Sequence, residues 1–252
     1  MKSVEELKRD VLPALFADSS RVAEYGDGAS GKEALQALSD LMERGAVSRL
    51  AEAIEAIVNK LSDADPKQIA KAPNWLDKLL GRHVERRVRY DVARKSLDEL
   101  IQAAAGIEQS VRDTLRMVDQ TLSTHEVETA RLDDLIRAGQ EYLDENPQAG
   151  MAAAGQLEFD KPRERFARKL ANLATLRASH AMSFMQMKLT RAQAVDMLDR
   201  FAETKSVLVP VWRQHTLALI TSKHMDPAMV GEAAKAHTAL MRSLSKSLEG
   251  VK

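Results

Sequence analysis

Apolar side chains recur along this chain at alternating steps of three and four, the spacing of helices that bury one face. No proline occurs between Arg82 and Asn146. There Leu97, Ile101, Ala104, Val111, Leu115, Val118, Leu122, His125, Leu132, Ile136, Gly139 and Leu143 hold a 3.5-residue period, with Glu108 and Thr129 in the two remaining slots. A stripe without a phase slip predicts one continuous, supercoiling helix, on the order of 90–100 Å long at about 1.5 Å per residue. Ser123 and Glu126 have capping-box spacing, so a break near 123 stays open as the alternative.

The segment "PQAGMAAAGQLEFDKP", 147–162, breaks the pattern with prolines, glycines and small residues, and reads as a flexible hairpin loop. A second stripe then runs from Phe166 through Leu173, Arg177, His180, Phe184, Met187, Arg191, Ala194, Phe201, Lys205, Leu208, Trp212 and His215 to Leu219. It predicts a returning helix over about 163–222, matched in length to the first and antiparallel to it. Before these, Ser3-Glu6 and Ser30-Glu33 have capping-box spacing. "KEALQALSDLMER" and "VSRLAEAIEAIVNKL" predict a short helical hairpin, and "PNWLDKLLG" a linking turn anchored by Trp75. Asp226-Pro227 opens a last helix reaching about Leu248. The expected fold is all-α: an elongated antiparallel long-helix hairpin, three-helix-bundle or coiled-coil-like, with a smaller N-terminal helical hairpin. Residues 1–81 form the N-terminal part and 82–252 the extended bundle.

"VLVPVWRQHTLALI", 207–220, sets a proline inside the second helix. Val209 is a poor N-cap, and the stripe runs through from Leu208 to Trp212, so the helix is expected to continue past Pro210 with a bend. Two readings stay open: a bend that wraps the helix around its neighbours, or a hinge or pocket built on the freed carbonyl.

Composition narrows the function classes. Lys plus Arg equal Asp plus Glu at 37 each, so overall charge gives no attraction to nucleic acid or to an acidic membrane. Cysteine is absent, which excludes disulfides and thiol redox chemistry carried by this chain. No apolar run approaches the roughly 20 residues that span a bilayer, and the N-terminus has no signal-like core. A cytoplasmic location is expected, with a peripheral position at the inner membrane as the variant.

The second stripe carries the candidate chemistry. Arg177, His180, Arg191, Lys205 and His215 fill gaps in an apolar seam with cations or potential cations and no acid, an arrangement suited to holding an anion. The competing reading packs the stems and sends the charged heads to water or to carboxylates on the facing helix, Glu108 among them. The six histidines show no metal-ligand spacing, and no nucleotide-loop or nucleophile-elbow motif occurs. The basic run "RHVERRVRYDVARK", 82–95, offers a contact for lipid headgroups or nucleic acid, or a solvated helix end. Met182, Met185 and Met187 read as adaptable core filler or as a pliable partner surface.

Four segments together resemble one known family: "YGDGASGKEALQALSDLMERGAVSRLAEAIEAIVNKLSDADP", "WLDKLLGRHVERRVRYDVARKSLDELI", "LDDLIRAGQEYLDE" and "LRASHAMSFMQMKLTRAQAVDMLDRFAETKSVLVPVWRQHTLALI". The last is the most specific, through Arg177, Gln186 and the P-V-W of 210–212. The chain is thereby identified as similar to the TelA/KlaA family of toxic anion (tellurite) resistance proteins, over about 25–245. Two differences accompany the likeness: Arg191-Ala-Gln-Ala194 stands where the family has a Gln/Asn-rich patch, and many relatives continue past the position of Lys252. The resemblance implies resistance to tellurite-like oxyanions and, for plasmid-borne relatives, a link to fertility inhibition, without an agreed catalytic mechanism. The expectation is therefore a non-enzymatic protein that binds partners, with Arg177, His180, Gln186, Arg191, Trp212 and His215 as candidate binding residues. A protein partner, at the membrane surface as one setting, or a tellurite-like oxyanion is expected; nucleic acid, metal and cofactors are not.

Overall fold

Ser3 starts the first helix with a reciprocal cap: the Ser3 N–H donates to the Glu6 carboxylate at 2.7 Å, and the Glu6 N–H to the Ser3 hydroxyl at 3.3 Å. The computed structural model describes residues 2–27, 45–65, 68–69, 86–151, 160–221, 228, 231–232 and 234–239. Its helices include α1 (Val4–Glu6), α2 (Leu12–Ala17), α3 (Ala46–Asp63), α4 (Arg86–Glu145), α5 (Pro162–Glu203) and α6 (Val209–Thr221), and residues 234–239 are helical as well. A π turn over Leu7–Val11 joins α1 to α2, a second over Thr204–Leu208 joins α5 to α6, and a 3-10 turn covers Ser19–Glu24. No strand occurs among the described residues. The chain is all-α, as its pattern predicts. The Ser30-Glu33 cap, the helix expected over 32–44, the linker around Trp75 and the Asp226-Pro227 start lie outside the described residues.

Both long stripes fold as expected. Helix α4 runs 60 residues without interruption, so Ser123 caps nothing. The returning run is 42 residues of α5, a 5-residue π turn and 13 residues of α6. The chain falls into two compact units: Met1–Arg44 with Arg116–Arg191, and Gly45–Leu115 with Ala192–Lys252.

In the first unit the C-terminal half of α4 packs antiparallel to α5. Arg163 closes their turn, donating to the carbonyls of Leu143 (2.9 Å) and Asn146 (3.0 Å), which the end of α4 leaves without helical partners. The N-terminal segment covers this end. Phe16 stacks on Tyr142 and meets Phe166 edge-on, as does Tyr25. The buried Tyr25 hydroxyl donates to the Leu135 carbonyl at 2.8 Å, and burial pushes its phenol well above the ordinary range. Gly26 has φ +77, and an added Cβ there would meet Leu173 Cδ2 at 3.0 Å, which accounts for the Tyr-Gly pair. Lys8 fastens α1 and α2 to α4 through Glu141 (3.0 Å) and Glu145 (2.5 Å).

In the second unit α3 supplies the third layer. Leu50, Ile54, Ile57, Val58 and Leu61 on one face of α3 join Leu97, Ala104 and Val111 of α4 and Met197, Phe201, Leu208 and Trp212 of the returning run. The stripe here is antiparallel too, with Lys205 paired to Glu108 at 3.3 Å and Arg213 to Asp98. Arg112, and then Lys205, hold Glu108 below the usual carboxylate range against its burial.

Pro210 sits in a continuing helix. The wide turn ahead of it, closed by the Val209 N–H on the Thr204 carbonyl, makes room for the ring. Pro13 repeats the arrangement behind the Leu7–Val11 turn, where the Leu12 N–H reaches the Leu7 carbonyl. The Pro210 turn is packed: Thr204, Leu208 and Val209 are all buried.

Candidate functional site

The six residues expected to bind fall on different surfaces. Arg177, His180, Gln186 and Arg191 belong to the first unit, Trp212 and His215 to the second. Helical geometry separates the first four further. At 100° per residue Gln186 points away from the seam that His180 and Met187 occupy, and Arg177 lies about 21 Å from Arg191 along α5.

The seam residues Arg177 and Arg191 are each paired with a carboxylate of the facing helix. Arg177 Nε lies 2.9 Å from the Asp133 carboxylate and Arg191 Nε 2.6 Å from that of Asp119, with all four side chains about half exposed. Asp133 raises the affinity of Arg177 for its proton further. Pairs this exposed are screened by water and add little to stability, so their main effect is on register and charge. The rule behind them is regional. From Arg165 to Val195 the returning helix has no Asp or Glu, whereas Asp119, Glu126, Glu128, Asp133 and Asp134 mark the stretch of α4 it faces.

His180 is fully buried. It stacks on His125 of α4, ring centroids 4.6 Å apart and planes at 15°, and Phe184 also stacks with His125 at 5.9 Å. His125 Nε2–H donates to the His180 carbonyl at 2.7 Å, which places the His125 proton on Nε2. Its Nδ1 is buried without a hydrogen-bond partner. The imidazoles fill a place where the apolar core narrows to Val118 and Met187, flanked by Met117, Leu122 and Phe184.

Beside this stack lies an open groove of about 450 Å³ between α4 and α5, lined by Glu126, Thr129, Ala130, Asp133, Arg177, Ala181, Phe184 and Met185. Neither histidine lines it. Lys188 Nζ sits 4.3 Å from the centre of the Phe184 ring, a cation–π contact. Past the rim, the outward face of α5 is apolar: Met182 is 75%, Met185 67% and Leu189 59% exposed. Of the three methionines read as core filler, only Met187 is in the core. The signal was in the spacing, since Met187 lies on the stripe and the other two lie off it. The groove thus sets a thioether and aromatic wall beside an ion pair, with its lining cation Arg177 engaged by Asp133.

Trp212 and His215 stand at the end of α3. Trp212 is fully buried, stacks on Tyr90 at 5.6 Å, and donates its Nε1–H to the Ala64 carbonyl at 2.8 Å. His237 does the same for the Leu61 carbonyl at 3.0 Å. Two rings from distant parts of the chain thus satisfy carbonyls in the last turn of α3. Burial pushes the His237 imidazole below its ordinary value, with the Leu61 carbonyl and Asp65 opposing and His215 adding to the shift. His215 is half-buried, and its Nδ1 and the hydroxyl of fully buried Thr216 have no hydrogen-bond partner. Among the described residues no three His, Asp or Glu side chains converge as metal ligands, and no helix is long and apolar enough to cross a membrane.

The family model described as "Toxic anion resistance protein (TelA)" matches residues 12–244. The chain belongs to the TelA family. A TelA-family relative, "Protein KlaA" of Escherichia coli, is 67% identical over 249 residues, which cover 99% of this chain and 97% of the relative. No solved structure matches the chain. The TelA match takes in both units, the groove, and the Pro210–Trp212 segment that fastens α6 to the end of α3.

Proposed function

We propose that this TelA-family chain serves toxic-anion resistance by binding a protein partner, without chemical turnover of the anion. The observation that carries the reading is the outward stripe of α5. Met182, Met185 and Leu189 expose more than half of their surface at i, i+3 and i+7. Methionine adapts to a partner's shape and gains little from being left in water. The occupant that fits is the apolar face of an amphipathic helix, laid along the exposed thioether and leucine stripe. Direct capture of the oxyanion by the seam is the weaker reading, since an anion must displace Asp133 from Arg177 or Asp119 from Arg191.

The test pairs two measurements. Met182→Glu/Leu189→Glu is expected to abolish tellurite resistance in cells while the purified variant keeps its helical circular dichroism and melting temperature. Titration of the wild-type chain with tellurite is expected to release no heat. Full resistance in the double variant overturns the partner reading. Binding heat that disappears in Arg177→Gln/Arg191→Gln establishes the anion reading in its place.

A further inference from the structure

We infer that the outward face of the first three turns of α4 is a contact surface for an anionic lipid bilayer. The stretch Arg86–Lys95 carries five Lys and Arg residues against Asp91 alone. Its inner face is committed to the core: Tyr90 is 3% exposed and lies against Trp212, and Leu97 is fully buried. On the opposite ridge Val88, Val92 and Lys95 follow one another at i, i+4 and i+7, and the two valines are 48% and 64% exposed. Valine is a mediocre helix former, so a pair of them in water gains neither propensity nor burial.

The first described turn of α4 holds Arg86, Arg87 and Arg89 and no acid. Arg89 is engaged by the Gln68 carbonyl at 3.0 Å. Arg87 reaches Asp91 only at 3.6 Å, and its side chain is 64% exposed. Cations gathered on one stretch of helix, with aliphatic side chains between them, match a surface that supplies negative headgroups and a shallow apolar layer together. A nucleic acid would satisfy the arginines but has no use for the valines, and the one ring here, Tyr90, is shut away from any base. The chain's overall charge is zero, so the attraction is local and acts within about 10 Å of the surface.

The experiment is co-sedimentation of the full chain with vesicles of phosphatidylcholine alone and of phosphatidylcholine mixed with phosphatidylglycerol, over a range of salt. Binding is expected only to the anionic vesicles and is expected to weaken as salt rises. Each basic residue removed should weaken it about fivefold, so Arg87→Gln/Arg94→Gln should lose on the order of 25-fold. Val88→Ser/Val92→Ser should lose several-fold with the salt dependence unchanged. All these side chains are at the surface, so melting temperatures should match the wild type. Three results overturn the proposal: no binding to anionic vesicles, equal binding to both vesicle types, or variants that bind as the wild type does. Duplex DNA bound at least as tightly as anionic vesicles, with no effect of the valine changes, overturns it in favour of a nucleic-acid surface.

Discussion

Replacing Trp212 by Phe separates two roles of that ring. The indole is fully buried, stacks on Tyr90, and donates the hydrogen bond that occupies the Ala64 carbonyl. Phenylalanine keeps a ring against Tyr90 and loses the donor. A buried hydrogen bond of this kind contributes about 1 kcal/mol net, and the missing ring atoms remove about another 1 kcal/mol of apolar burial. Trp212→Phe should therefore cost about 2 kcal/mol, and Trp212→Ala about 3–5 kcal/mol, since it removes the stack as well. Urea unfolding followed by far-ultraviolet circular dichroism measures both, and hydrogen exchange at the end of α3 locates the effect. Resistance in cells should fall in step with stability across wild type, Phe and Ala. If Trp212→Phe unfolds like the wild type, the Nε1–Ala64 bond does not contribute as argued. If Trp212→Phe keeps its stability and still abolishes resistance, Trp212 has a functional contact that its burial does not reveal.

Two glycines of α4 should respond to alanine with opposite signs. Gly106 has nothing within 4 Å of an added Cβ, so Gly106→Ala should stabilise by about 1 kcal/mol through helix propensity. At Gly139 a Cβ would stand 2.5 Å from Leu170 Cδ2 and 3.1 Å from Phe166 Cζ, so Gly139→Ala should destabilise by about 1–3 kcal/mol; melting temperatures decide both. His237 titrates below its ordinary value of about 6.5 when folded. Below that pH the unfolded chain takes up a proton that the folded chain resists, so the His237 contribution is complete above about 6.5 and declines as pH falls. Unfolding free energies at pH 7.5 and 5.5 should differ less in His237→Gln than in the wild type; an unchanged difference removes His237 as the cause.

The helices were legible because their seams are written in nearest-neighbour spacing. Leu97 to Leu143 and Phe166 to Leu219 each hold one period, and a period needs no knowledge of what it packs against. Pairing across the seam was legible only in part. Glu108 was foreseen as a facing carboxylate but not as the partner of Lys205 in particular, and Asp119 and Asp133 likewise depend on a register that shifts with each residue in the hairpin turn. The His125–His180 stack follows from both positions lying on facing stripes, yet nothing local distinguishes a histidine that stacks from one that binds. Trp212 was hardest to place. Its acceptor is 148 residues earlier in the chain, at the end of a helix whose stopping point no spacing rule ties to tryptophan.

The widened turns ahead of Pro13 and Pro210 bear on which length changes the chain can accept. A π turn is what an α-helix becomes when one residue is added and both flanks hold their positions. Removing a residue from Thr204–Leu208 should therefore restore ordinary winding and leave Trp212, Thr216 and Leu219 on the faces they now occupy. That shorter helix would press the Pro210 ring against the backbone one turn earlier, at a cost of about 3 kcal/mol. The extra residue and the proline form a single unit of inheritance: a relative one residue shorter in this turn should have lost its proline too.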